Sequence, residues 1–327
     1  MLNQEPLVLI VIPAKNEADY IGQCLCGINS LNYSSNKVKN VVVDNCSTDN
    51  TAEIALQFGA RVITSNVSSI AALRNLGASE GDSEMVGFVD ADCIVDPDWL
   101  TVAARHFAAD ENLCAVGVTE APPYTNSTWV ETIWMGLKHG RKPTQGFAYT
   151  SWCASGAMLV KRESFEKVAG FNTCLTTCED ADLSTRLLEN GTIILDYTVP
   201  FQHLRGSRTL LQLFKREMWR GQHNINGFLG HGISMRELPS VLAPVLFLFC
   251  MVSGMLLLIL GQWVSEYFIR YLAFAFLGLA LSLPFLMLVK KIGFPPPFKE
   301  VGRSYAVCFV YFLARALGSI FSGKRTW

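Results

Sequence analysis

Two runs without a charged residue constrain this chain more than any other feature: "VLAPVLFLFCMVSGMLLLIL" from Val241 to Leu260 and "YLAFAFLGLALSLPFLMLV" from Tyr271 to Val289. Twenty and nineteen residues are each long enough, as helices, to cross a hydrocarbon core about 30 Å thick. Pro244 and Pro284 do not oppose this, because proline is tolerated in membrane helices. A third apolar stretch, residues 305–321, carries Arg315 near its middle, where a lipid-exposed charge is costly, so it is expected to be interfacial or partly inserted. Lys290, Lys291, Lys299 and Arg303 follow the second span, whereas the link from Gly261 to Arg270 offers only Arg270. That bias predicts a multi-pass membrane protein whose link faces outward and whose N-terminal region is cytoplasmic.

The opening "MLNQEPLVLIVIPAKNE" has no basic n-region and only a short apolar run, so no signal peptide is expected. Ten cysteines without regular spacing fit free thiols in that compartment. Cys24 with Cys26 and Cys174 with Cys178 lack the two-residue gap of a zinc finger or ribbon. A formal net charge of −1 argues against a nucleic-acid surface.

The first third alternates β-type and helix-type runs at the pace of a parallel α/β sheet. Strands are expected at 7–14, 38–44, 61–65, 84–90, 114–120 and 157–160, and over "TIILDYTV" at 192–199. Ile21, Leu25, Ile28 and Leu31 share a helical face. Thr48 or Asp49 can cap a helix ending before Gly59, and Asp96–Pro97 starts another. "EDADLSTRLLENG" reads as a helix stopped by Gly191, with acids in its first turn, while residues 121–150 read loosely, with "APPYTNSTW" a loop. Between Arg205 and Arg220 five basic residues and leucines 210, 211 and 213 face one acid, Glu217, which suits a basic amphipathic helix at the headgroup surface or a solvated helix. The expected layout is a catalytic domain over 1–204, interfacial helices over 205–237 and a membrane domain over 238–327.

Chemistry concentrates at strand ends. "VGFVDADCIV" puts Asp90 and Asp92 two apart after an apolar run, so in a strand both would face one side at the carboxyl edge, where open α/β sheets bind ligands. Oxygen ligands of that kind select magnesium or manganese, with substrate phosphates completing the shell. Glu17 follows the first strand, Asp44 ends the second, and Arg74 lies ahead of the fourth. Acids there can bind a ribose or base, and an arginine can neutralise a diphosphate.

Taken in order, "VIPAKNEADYIGQCL", "VVVDNCSTDNT", "ALRNLGA", "DAD", "SGAMLVKRESFEKVAGF" and "CEDADLSTRL" resemble the family 2 glycosyltransferases over about residues 7–225. The resemblance implies a GT-A fold, a Rossmann-like mixed sheet flanked by helices, here followed by C-terminal transmembrane helices. It implies that Pro13, Glu17 and Asp44 contact the nucleoside of a UDP- or GDP-linked sugar, and that Arg74 lies near base or diphosphate. It further implies that Asp92 holds Mg2+ or Mn2+, with Asp90 near the ribose or metal, and that His203 reaches metal or diphosphate; a core histidine is the competing reading. Asp180 is implied as general base of an inverting transfer, against a capping role that Glu179 and Asp182 suit equally. No Gln-x-x-Arg-Trp motif occurs, only "FKREMWRGQH", which argues for single transfer rather than polymerisation. The membrane spans and basic helix point to a lipid-linked acceptor and contact with membrane lipids. A haloacid dehalogenase-type phosphatase shares the Asp-x-Asp pattern but places it on its opening strand, and a dinucleotide oxidoreductase would need Gly-x-Gly-x-x-Gly after the first strand. A non-catalytic membrane protein with a degenerate nucleotide-sugar fold is the remaining alternative.

Overall fold

Seven consecutive buried residues, Val8–Ala14, form β1 at the heart of a nine-stranded sheet. The computed structural model describes residues 5–67, 69–122, 127–139, 145–175, 177–221, 238–263, 267–292 and 300–320. The other strands are β2 (Val38–Asp44), β3 (Arg61–Thr64), β4 (Met85–Val89), β5 (Cys93–Ile94), β6 (Leu113–Glu120), β7 (Phe147–Tyr149), β8 (Ala157–Lys161) and β9 (Thr192–His203). Their order is β3-β2-β1-β4-β8-β6-β9-β5, with β7 also on β9. The first four strands are mutually parallel, and β8 runs antiparallel between β4 and β6. β1 and β4 are covered on both faces, which is why they read as unbroken apolar runs rather than alternating ones.

The helices that cover the sheet are α1 (Ile21–Asn29), α2 (Thr51–Gln57), α3 (Ile70–Ala78), α4 (Trp99–Ala109), α6 (Arg162–Lys167) and α7 (Glu179–Leu188). Ile21, Leu25 and Ile28 of α1 join Trp99, Leu100 and Phe107 of α4 in one core layer. Ala71 and Leu73 of α3 join Leu183 and Leu187 of α7 in the other. α2 begins one residue later than a cap at Asp49 implies, behind Asn50, yet the Asp49 carboxylate still accepts the Thr51 N–H at 3.1 Å. α7 ends at Leu188, short of Gly191, where a side chain would run into the Asn112 carbonyl.

The chain divides into two compact units. One contains the described residues up to Ala121 and those of 145–205; the other contains Pro122, residues 127–139 and the described residues from Gly206 onward. The stretch read as loose thus holds a helix, α5 (Trp129–His139), which belongs to the second unit although it lies within 1–204. Its start is a capping box: the Glu131 carboxylate accepts the Thr128 N–H at 2.8 Å, and Thr128 Oγ1 accepts the Glu131 N–H at 3.4 Å.

In the second unit α8 (Leu210–Gly221) is followed by α9 (Leu238–Trp263), α10 (Tyr267–Ile292) and α11 (Val301–Ile320). Residues 242–263 and 267–291 are long and apolar enough to cross a membrane, and only 22% of the most apolar window of each is buried, unlike the core helix of a water-soluble protein. Part of the interfacial segment expected over 205–237, residues 222–237, lies outside the described residues.

Arg315 finds its counter-charge on α8. Leu213, Glu217 and Gly221 form the buried face of that helix. Glu217, with no exposed surface, accepts from Arg315 Nε at 2.8 Å and from Arg220 Nη1 at 2.9 Å. Burial alone would raise the Glu217 carboxyl, but Arg220 and Arg315 outweigh it and hold it below its ordinary value. The two backbones approach so closely that a Cβ at Gly318 would strike the Met218 carbonyl. Glu217→Ala removes the buried carboxylate on which Arg315 and Arg220 converge and is expected to destabilise the protein by about 3–5 kcal/mol. Glu217→Leu combined with Arg315→Met should recover most of that loss in thermal unfolding of the detergent-solubilised chain. Equal losses in the single and double variants would show that the pair carries no such weight.

Candidate active site

β1 and β2 end in register, Ala14 beside Asp44, so the turns that follow lie side by side. They are laced together: the Asn16 N–H donates to Ser47 Oγ and the Thr48 N–H to Asn16 Oδ1, both at 2.8 Å. The Glu17 N–H donates to Thr51 Oγ1, also at 2.8 Å. Asn16 and Cys46 hold left-handed conformations, φ 54° and 48°, that let both turns double back. Asp44 is buried and accepts the Ser47 N–H at 3.1 Å and the Ser47 hydroxyl. Pro13, buried opposite Val43, Glu17 and Asp44 therefore share one corner of the carboxyl edge.

A residue assigned by sequence to the basic helix also belongs to this corner. Arg205 lies before α8, donates from Nη2 to Glu17 Oε2 at 2.7 Å, and stacks 4.9 Å from the Tyr20 ring centroid. Burial, opposed by Arg205 and reinforced by Asp92, Asp90 and Asp49, pushes the Glu17 carboxyl up to about 7. The corner carries more negative than positive charge, which suits a site that receives a cation.

The Asp-x-Asp segment departs from its strand-based expectation. β4 stops at Val89, and Asp90 and Asp92 occupy a turn closed by the Cys93 N–H to the Asp90 carbonyl at 2.9 Å. The two carboxylates therefore part company. Asp90 Oδ1 accepts from Arg74 Nη2 at 2.7 Å. Asp92 is drawn towards His203, because β5 pairs antiparallel with the end of β9, Cys93 opposite His203, and the Leu204 N–H donates to the Asp92 carbonyl at 2.7 Å. His203 Nε2 lies 3.7 Å from Asp92 Oδ2.

Arg74 is 2% exposed, its guanidinium held against Asp90. Its other nitrogen, Nη1, donates to Glu179 Oε1 at 2.8 Å, so one guanidinium ties the Asp-x-Asp turn to the start of α7. The neighbouring Asn75 clamps the Gly170–Phe171 turn, accepting the Phe171 N–H at 2.9 Å and donating to its carbonyl at 2.8 Å. Glu179 is thus a structural partner of the arginine rather than a spare cap. Asp180, beside it, keeps some surface yet is densely surrounded by protein. Burial first and Glu179 second raise its carboxyl to about 6, against Arg74 and the Ala181 N–H, which donates to Asp180 Oδ1 at 2.8 Å. Cys178, just before, takes φ 64°, left-handed backbone that a non-glycine residue adopts only where its surroundings enforce it.

Among the described residues, Asp92, Cys93 and His203 form the group of potential metal ligands, with donor atoms within 4.8 Å of one another. Burial pushes the Cys93 thiol well up, and a soft sulfur suits a hard divalent cation less well than the carboxylate and imidazole beside it. The remaining carboxylate and imidazole fit a hard divalent cation whose other positions go to phosphates and water. None of the ten cysteines is in a disulfide, and neither Cys24 with Cys26 nor Cys174 with Cys178 gathers at a metal site among the described residues.

Residues 9–169 match the family model described as Glycosyl transferase family 2. Glycosyltransferase AglE of Haloferax volcanii is 35% identical over 247 residues, 72% of this chain and 79% of that protein. Succinoglycan biosynthesis protein ExoA of Rhizobium meliloti is 28% identical over 277 residues, 79% and 82% of the two chains. Among solved structures, the mannosyltransferase PcManGT from Pyrobaculum calidifontis in complex with GDP-Man and Mn2+ superposes with a TM-score of 0.61 at 18% identity. The superposition covers 98% of this chain and 89% of that one, a likeness of fold. The mixed sheet with its flanking helices is a GT-A fold. These matches favour neither the phosphatase nor the non-catalytic alternative.

Proposed function

Because the chain belongs to glycosyltransferase family 2, we propose that it is an inverting, single-transfer enzyme moving a sugar from a UDP- or GDP-linked donor to a lipid-linked acceptor at the cytoplasmic membrane face. The observation that carries this reading is the convergence, at one sheet edge, of the Asp92–His203 pair and the Asp90–Arg74–Glu179 bridge leading to Asp180. In this reading Pro13, Glu17 and Asp44 receive the nucleoside, Asp90 the ribose or metal, and Asp92 with His203 would hold Mg2+ or Mn2+. A divalent cation bound there supplies positive charge to the departing nucleoside diphosphate. Asp180 takes the proton of the acceptor hydroxyl as its oxygen bonds to the anomeric carbon; the bond to the diphosphate oxygen breaks on the opposite face. The mannosyltransferase complex with GDP-Man and Mn2+ supports a nucleotide sugar and a divalent cation. The two apolar helices support a membrane-embedded, multi-pass chain, and the lysines and arginines near the end of the second apolar run support the cytoplasmic orientation.

The test is a thermal-shift series on the full chain in detergent, with UDP or GDP, each with MnCl2, MgCl2 or chelator. One nucleotide is expected to stabilise the chain only with a divalent ion, by about 3 kcal/mol at a concentration near 100 Kd. Asp92→Asn should remove the metal dependence. Stabilisation by neither nucleotide, or equal stabilisation in chelator, would overturn the reading.

A further inference from the structure

β5 is only two residues long, yet it sets a thiol beside the carboxylate and imidazole of the candidate cation site. Cys93 faces His203 across the antiparallel pairing with β9, and its Sγ donates to Asp92 Oδ1 at 3.8 Å. His203 Nε2 stands 3.7 Å from the other oxygen of that carboxylate, so oxygen, sulfur and nitrogen donors gather within 4.8 Å of one another. Ligands bound at about 2.0–2.3 Å to a tetrahedral zinc ion stand about 3.5 Å apart. The separations of 3.7 and 3.8 Å are close to that edge length. Cys24, another buried thiol at this turn, donates to the Asp90 carbonyl at 3.6 Å and is not one of the gathered donors.

This donor set serves two kinds of cation differently. Mg2+ or Mn2+ prefers an octahedral, oxygen-rich shell, so it takes the carboxylate and imidazole, leaves the sulfur aside and keeps positions for two phosphates and water. A thiophilic ion that prefers four ligands uses all three side chains and keeps one open position. Its charge displaces the thiol proton to solvent, outweighing the burial that raises Cys93.

Resting on the transferase reading of this cation site, we propose that Asp92, Cys93 and His203 bind Zn2+, or a similarly thiophilic divalent ion, as a three-ligand tetrahedral centre that inhibits the enzyme by excluding the productive Mg2+ or Mn2+. With one position left, such an ion cannot hold two phosphates of a nucleoside diphosphate at once, so it blocks the donor instead of seating it. Cys93 sets this cation selectivity. A side chain without sulfur there would leave zinc only two protein donors from the group.

The experiment uses the full chain in detergent with a phosphine reductant, and CoCl2 as the spectroscopic stand-in for zinc. A sulfur-to-cobalt charge-transfer band in the near ultraviolet is expected, and stoichiometric ZnCl2 should bleach it. Cys93→Ser should lose the band and bind zinc, read by competition with a chromophoric chelator, roughly a hundredfold more weakly, the upper end of what even outer-shell partners of zinc ligands cost. Cys24→Ser should keep both. ZnCl2 should abolish the Mn2+-dependent stabilisation by nucleotide in the wild type, whereas in Cys93→Ser that stabilisation should resist it. Excess MnCl2 with the nucleotide should erase the cobalt band from the wild type, which reads the shared site without any substitution. Absence of the band, its persistence in Cys93→Ser, or its survival in MnCl2 with nucleotide overturns the proposal. A Cys93-dependent band in a wild-type chain that no nucleotide stabilises with Mn2+ would instead strike the transferase reading.

Discussion

Asp180→Asn is expected to abolish transfer, lowering kcat roughly 10²- to 10⁴-fold, about 3–5 kcal/mol of barrier, while donor affinity stays within about twofold. The expectation rests on the split between the two acids of "CED". Glu179 is committed to Arg74, whereas Asp180 is raised to about 6 by burial and by Glu179, close to where a base works best at neutral pH. Only the carboxylate can accept the acceptor's proton, so the wild-type rate should fall as pH drops through about 6. Stability runs the other way. A carboxyl raised above its unfolded value contributes stability below pH ~4, and that contribution is lost as pH rises through about 6. Above pH 7 the neutral asparagine should therefore be no less stable than the wild type. A variant with full turnover would remove Asp180 as base, and steady-state kinetics with thermal unfolding on one preparation reads both quantities.

Much of this arrangement was legible in the chain, because the buried strands are long and apolar and their polar turns are short. β2 spans Val38–Asp44 as expected, and β1, β3, β4, β6 and β8 differ by about a residue at their ends. β7 escaped notice because three residues paired only to β9 carry too little pattern. α5 was missed although Thr128 and Glu131 spell its capping box, since the loop signal of "APPYTNS" overshadowed it. The partners of the site residues were less accessible still. His203 reaches Asp92 only because β9, twelve residues long, leaves β6 after the irregularity at Val118/Glu120 and pairs with β5. Arg205 meets Glu17 from 188 residues away. Such pairings depend on strand order, which local periodicity does not encode. The same limit hid Glu217 as the answer to the charge on Arg315.

Arg74→Met is expected to cost about 3–5 kcal/mol, because it strands two carboxylates that share one buried guanidinium. For a domain of this size that corresponds to a fall in Tm on the order of 10 °C. Arg74→Lys should rescue only part of the loss, since a single ammonium cannot present two nitrogens in a fixed fork to Asp90 and Glu179. If the damage comes from unpaired acids, adding Glu179→Gln to Arg74→Met should restore some stability, and the two losses will not add. The arginine also acts on chemistry at one remove: its charge lowers the Asp180 pKa, so its removal should shift the acid limb of transfer to higher pH. A diphosphate ligand in the open site would behave differently, losing donor affinity with little change in stability. Denaturation and nucleotide binding measured on Arg74→Met thus separate an arginine that braces the Asp-x-Asp turn from one that grips the donor, and burial favours the brace.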